Sequence, residues 1–143
     1  MPFSSNAIEE IARKKAGMYA LLQMWSGKMT SHAKEHAEWR DRTTHARNAL
    51  HSGVERVGDT FFVYLAHGIL YGEYLEEGTG LHGPKGEKFE IRPKNKKALF
   101  FPGAPHPVKK VMHPGMKPRA VIRPTLETHI PLVRKSVLDY WED

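Results

Sequence analysis

Between residues 102 and 118 the chain carries Pro102, Gly103, Pro105, Pro107, Pro114, Gly115 and Pro118. Each proline fixes φ and removes a backbone donor, so this stretch cannot be helix interior or a central strand. It predicts an extended, loop-rich excursion in which Val108–His113 pairs at an edge at most. Regular structure must come from the flanking segments. Upstream, apolar or small residues fall at Ile8, Ile11, Ala12, Ala16, Tyr19, Leu22, Met29, Ala33 and Ala37. That spacing predicts helix over 5–40 with one buried stripe. Ser4 and Ser5 offer a cap, and Gly27 marks a break or kink. Downstream, Pro124 suits the first position of a C-terminal helix. Leu126, Ile130, Val133, Val137 and Trp141 then form an apolar face to lay on a sheet. Pro131 predicts a bend or a late start there.

Residues 41–53 read as a polar turn, a short helix and a stop at Gly53. Residues 54–67 read as a hairpin turning at Gly58-Asp59, with TFFVYLA returning. Residues 68–77 suit a short helix ending at Gly78. Lys88–Arg92 alternates, and Ala98–Phe101 is a short apolar run. Both read as strands with one wet face, and Arg119–Ile122 as a last short strand. No repeat and no linker divides the 143 residues, a length usual for one domain. The expectation is a single domain over 1–143, with a helical part at 1–40 and a core at 41–143. The fold class is α+β: a mainly antiparallel sheet, a long N-terminal helix, a C-terminal helix packed on the sheet, and long Gly/Pro-rich loops.

A hydrophobic content of 40 % is too rich for wholesale disorder. The longest apolar run, Phe61–Ala66, falls far short of the ~20 residues a membrane helix needs, and the first residues hold no apolar signal core. The absence of cysteine removes disulfides, thiol nucleophiles, iron–sulfur clusters and Cys-ligated zinc. The net charge of +6 is unevenly placed. Residues 84–123 hold eleven Lys and Arg against Glu87 and Glu90, a local +9, which leaves −3 on the remainder. Such a segment suits a polyanion or an acidic protein surface, or else forms solvated loops.

Three patterns resemble chemistry. His32-Ala33-Lys34-Glu35-His36 fits H-x-x-E-H, in which two histidines one turn apart chelate zinc and the glutamate acts as base. No spacing singles out a third ligand, and a solvated helix face is the plainer reading. Gly78-Thr79-Gly80-Leu81-His82-Gly83 has the letters G-x-G-x-x-G, but that motif needs a helix N-terminus directly after it. Pro84-Lys85-Gly86 follows instead, which suits tight turns. Glu73, Glu76 and Glu77 lie with Tyr71 and Tyr74 on a short helix. Paired carboxylates can do acid–base work, yet an acidic, aromatic face suits a protein contact better. Trp25, Trp39 and Trp141 read as core or interface anchors. These patterns assign no catalytic residue, cofactor or metal.

Several stretches together resemble the small tail-component, or neck, proteins of long-tailed bacteriophages. One is the polar turn Arg42-Thr43-Thr44-His45-Ala46-Arg47-Asn48-Ala49-Leu50. Another is Tyr71-Gly72-Glu73-Tyr74-Leu75-Glu76-Glu77-Gly78-Thr79, which is similar to the family's Y-x-x-Y-[VL]-E-x-G-T. A third, His113–Glu127, resembles the family's basic turn, R-P-F-[LI]-x-P-A-like strand and helix. Ala120-Val121 stands there for the usual Pro-Phe and Thr125 for Ala. Ile91–Phe101 resembles the middle hairpin. The resemblance covers about residues 40–143 and leaves the N-terminal helix unexplained.

The resemblance implies a non-enzymatic virion protein that forms a homo-oligomeric ring of six at the head–tail junction. Its partners would be its own copies, portal-adaptor or head-completion proteins, and tail proteins. Genomic DNA would pass through the channel without sequence-specific binding, and no membrane is involved. The place would be the virion, and the host cytoplasm during assembly. Candidate interface residues are Glu73, Tyr74, Glu76 and Glu77 on an acidic side, with Lys94, Lys96, Lys97, Lys109, Lys110, Arg119 and Arg123 on a basic side. The alternatives are a small basic nucleic-acid-binding protein or ribonuclease-like toxin, and a zinc hydrolase using His32, Glu35 and His36.

Overall fold

The computed structural model describes residues 2–143, with side chains from residue 5 onward. The arrangement is α+β, and two compact units divide the chain. One comprises residues up to Leu70 together with Val121–Asp143; the other, Tyr71–Ala120, is inserted in its sequence.

In the first unit, α1 runs from Pro2 to His36. It starts before the expected Ser4–Ser5 cap and runs unbroken through Gly27, where a Cβ would meet nothing within 4 Å. A glycine at such an open site costs only its helix propensity, about 1 kcal/mol. Leu22, Ser26, Met29 and Ala33 are buried, whereas Ile8 and Ile11 are 67 % and 49 % exposed. The predicted stripe is therefore buried only in its C-terminal half. The helix stops at His36, short of residue 40, and Arg47 bonds one carbonyl of its last turn and two just beyond it. The guanidinium donates to the carbonyls of Lys34, Ala37 (3.2 Å) and Trp39 (3.5 Å), and pairs with Asp41 at 2.6 Å. Orphan carbonyls at a helix end favour such a cation.

After α2 (His45–Asn48), β1 (Leu50–Val57) pairs antiparallel with β2 (Thr60–His67). The turn falls at Gly58-Asp59 as expected, with Gly58 at φ +61° and Asp59 outside the positive region. That pattern belongs to a II′ hairpin turn. Gly53 does not stop the segment; it lies within β1 opposite Tyr64. A Cβ at Gly53 would stand 2.6 Å from the Tyr64 hydroxyl, so the glycine makes room for that ring. One face of the hairpin lies against α1, with Leu50 and Leu65 buried.

The last helix, α4 (Ile122–Glu142), lies antiparallel along α1. Its late residues meet early ones: the Tyr140 hydroxyl donates to the Lys14 carbonyl at 2.9 Å, and Trp141 Nε1–H to Met18 Sδ at 3.0 Å. Pro124 is its third residue, not its first, still within the turn whose N–H groups lack helical partners. The helix continues through Pro131, so the late start does not occur. Its buried face is Thr125 and His129, while Ile130 and Trp141 remain 56 % and 39 % exposed. The apolar face is thus turned partly away from α1. Two contacts fix this rotation: Tyr140 over Gly17, where no Cβ would fit, and Thr125 beside His32.

In the second unit, α3 (Gly72–Glu77) is followed by a 3₁₀ turn at Gly80–His82, β3 (Phe89–Ile91) and β4 (Val111–His113). The two strands pair antiparallel, Phe89 with His113 and Ile91 with Val111. The expected strand at Ala98–Phe101 is a single bridge, Leu99 to Val108. The expected strand at Arg119–Ile122 does not form. Pro118 has no N–H to give, the Arg119 N–H bonds the Leu75 carbonyl at 2.6 Å, and Ile122 opens α4. The result is two two-stranded sheets.

Candidate assembly surface

The acidic side is built by α3. Leu75 is buried, while Glu73, Tyr74 and Glu77 are exposed, Tyr74 at 56 %. The i, i+4 spacing puts Glu73 and Glu77 on one face. Gly78 ends the helix at φ +77°, its N–H bonding the Tyr74 carbonyl at 2.9 Å.

From Gly78 the chain clasps the proline-rich excursion. Thr79 N–H bonds the Met116 carbonyl at 2.9 Å and Leu81 N–H the Pro114 carbonyl at 2.8 Å. In return Met116 N–H bonds the Thr79 hydroxyl at 2.9 Å. The backbones approach so closely that no Cβ fits at Gly80 or Gly115, which hold φ +61° and +90°. Glycine tolerates both demands. The glycines of 78–83 therefore serve backbone contact. Only a three-residue 3₁₀ turn follows Thr79, and it offers no helix dipole for a phosphate.

Beside this clasp lies a cleft of about 720 Å³. Glu73, Tyr74, Glu77, Glu87 and Phe89 line it, with Lys85 and Lys88 and the backbone of Gly78–Gly80. Carboxylates and half-exposed aromatic rings in one concavity suit a cationic side chain.

The basic side lies in the same unit. Ile91 pairs with Val111 and Leu99 with Val108, so Lys94, Lys96 and Lys97 bulge from one segment while Lys109 and Lys110 sit on its partner. All five are exposed. Nearby, the Arg92 guanidinium donates to the Glu90 carboxylate and holds its pKa below the ordinary value, with the Lys110 charge adding to the effect. Arg119 is exposed in the extended segment before α4; Arg123, in the first turn of α4, belongs to the other unit. Among the described residues none of Glu73, Glu77, Lys94, Lys96, Lys97, Lys109, Lys110, Arg119 and Arg123 makes an ion pair.

His32 and His36 lie on one face of α1, but their rings stack nearly parallel, 3.9 Å between centroids. The His36 Nδ1–H donates to the His32 carbonyl at 2.9 Å. Stacked rings do not converge their nitrogen lone pairs on one point, as a metal requires. His129 of α4, which is buried, meets His32 edge-on at 4.8 Å and donates Nδ1–H to the Thr125 carbonyl at 2.8 Å. Among the described residues no group of three or more His, Asp or Glu could hold a metal ion. Burial, with the charges of His36 and His129, lowers the pKa of His32; Glu35 opposes the shift.

Sequence reasoning missed three structural roles. Arg47 caps α1, Thr79 with Gly115 closes the clasp, and His129 joins the imidazole cluster. Only Gly115 carried a signal, as a glycine in an otherwise proline-stiffened run. Comparison of the chain with protein-family models, curated proteins and solved structures finds no match.

Proposed function

We propose that the chain is a structural, non-enzymatic virion protein of a tailed bacteriophage: a ring-forming neck or tail-completion subunit joining the head to the tail tube. The observation that carries this reading is the exposure, in one unit, of Glu73 and Glu77 on α3 and of Lys94, Lys96, Lys97, Lys109 and Lys110, none of which makes an ion pair among the described residues. Opposite charges on different parts of one surface suit a head-to-tail contact that closes a ring. Glu73, Tyr74, Glu76 and Glu77 of one copy would meet the lysines of the next, with Arg119 and Arg123 adding charge. The ring is six-fold, its neighbours are portal-adaptor or head-completion and tail proteins, and DNA crosses its channel without sequence readout. Its place is the virion, and the host cytoplasm during assembly. Light scattering and negative-stain images test this on the wild type and on a Glu73→Lys, Glu76→Lys, Glu77→Lys variant. Rings are expected from the wild type and monomers from the variant. Intact rings in the variant overturn the charged contact, and a wild type that never assembles overturns the ring.

The same basic loops favour a second reading, a nucleic-acid-binding protein or ribonuclease-like toxin. Retention on DNA or RNA that falls steeply with salt, or RNA cleavage lost on histidine substitution, would select it.

A further inference from the structure

Beyond the bridge between Leu99 and Val108 the chain turns back at Phe101-Pro102-Gly103-Ala104. The Ala104 N–H bonds the Phe101 carbonyl at 3.1 Å and Gly103 holds φ +96°, the pattern of a type II turn with proline and then glycine at its centre. Residues 98–108 contain no Lys, Arg, Asp or Glu. Phe100 and Phe101 are 76 % and 39 % exposed, and Pro102, Pro105 and Pro107 stiffen the stretch. Lys94, Lys96 and Lys97 precede it, and Lys109 and Lys110 follow it. The result is an apolar finger with five cations at its root. The cleft beside the clasp has the converse make-up. The half-exposed rings of Tyr74 and Phe89 line it. So do the carboxylates of Glu73, Glu77 and Glu87, none of which makes an ion pair among the described residues. Lys85 and Lys88 line it as well, so three glutamates stand there against two lysines.

We infer that the cleft receives the finger of a second copy of this chain, with Phe100 and Phe101 against Tyr74 and Phe89 and the root lysines against the glutamates. This rests on the head-to-tail reading above and names the contact it requires. Two observations select a second copy. The first is complementarity: apolar tip with apolar floor, cations with carboxylates. The tip carries no charge, so Lys85 and Lys88 do not repel it as it enters. A cleft of about 720 Å³ is large enough for several ring-sized groups, and aromatic side chains seated in a pocket are the usual anchors of a protein contact. The second observation is placement. Phe89 pairs with His113 at the cleft end, Ile91 with Val111 further along, and Leu99 with Val108 before the turn. Finger and cleft therefore occupy opposite ends of one ribbon, and no residue of 98–108 lines the cleft. A chain does not fill its own cleft. A contact between two different ends of identical copies is heterologous, and it repeats from copy to copy until a ring closes.

Complementation between two variants tests both ends. The double variant Phe100→Ser, Phe101→Ser loses the finger and keeps the cleft; Tyr74→Ser, Glu77→Lys does the reverse. All four side chains are exposed, and circular dichroism checks that each variant keeps its fold. Sedimentation velocity is run up to about 100 µM, because a contact below the roughly 1,200 Å² of standard interfaces is weak. The wild type is expected to assemble and each variant to stay monomeric. An equimolar mixture of the variants should give a one-to-one heterodimer that grows no further, since only one intact finger and one intact cleft meet. Phe100→Ser alone should weaken association roughly tenfold or more. A finger variant that assembles like the wild type overturns this contact and leaves the ring reading standing. Variants that remain separate on mixing, beside a wild type that assembles, also overturn it alone. A wild type that stays monomeric overturns the contact and the ring together.

Discussion

Replacing Gly115 by alanine tests whether the clasp between Thr79 and Met116 holds the inserted unit together. Two costs follow from the geometry. At φ +90° an L-residue is strained by roughly 1–2 kcal/mol. The new methyl would also overlap the Thr79 carbonyl oxygen and stand 2.7 Å from Gly80 Cα. Backbone cannot turn aside as a side chain does, so about 1–3 kcal/mol of overpacking is added. Gly103 separates the two costs: it has φ +96° but nothing within 4 Å of its would-be Cβ. Gly103→Ala should carry only the first. The assay is hydrogen exchange at the Thr79 and Leu81 amides, which bond the Met116 and Pro114 carbonyls. A steric cost of ~2 kcal/mol corresponds to about 30-fold faster exchange in Gly115→Ala than in Gly103→Ala, at tenfold per 1.4 kcal/mol. Equal exchange in the two variants would refute the close approach.

Arg47→Ala should lower stability by about 2–4 kcal/mol, because it removes charge-assisted bonds to Asp41, to the Lys34 carbonyl in the last turn of α1 and to the Ala37 carbonyl just beyond it. Arg47→Lys should recover little of this, since an ammonium lacks the planar fork; urea titration measures both. The His32 prediction concerns pH. The folded pKa lies below the ordinary 6.5, so the unfolded chain binds more protons between the two values and stability rises with pH there. The contribution is complete above 6.5 and is lost as the pH falls through 6.5 toward the depressed folded value. Thermal midpoints between pH 7.5 and 5 should drop more steeply for the wild type than for His32→Asn, and parallel curves would contradict the assignment.

The hairpin turn and the short helix before Gly78 were legible because glycine states a local requirement and its flanks state a period. The register of α4 was not. Its apolar face, read as Leu126 to Trp141, competes with polar and close-packed contacts from α1: Thr125 against His32, and Tyr140 over Gly17. No periodicity encodes a neighbour that lies 93 or 126 residues away. The strand expected at Ala98–Phe101 failed for a related reason. A short apolar run signals a willing segment, but the prolines beyond it allow a partner to bond only at Leu99 and Val108. On the candidate surface, the exposure of Glu73, Tyr74, Glu77 and the lysines followed the sequence. The clasp through Thr79 and Gly115 depends on backbone proximity, which composition does not record.

The hydrogen bond from Tyr140 to Lys14 spans 126 positions. Synthesis proceeds at about 5–20 residues per second, so a nascent α1 waits roughly 6–25 s for the helix that covers its flank. All of Tyr71–Ala120 is made in that interval. The inserted unit leaves the ribosome before its host can close, and a chaperone shielding the bare side of α1 would be needed only in that window.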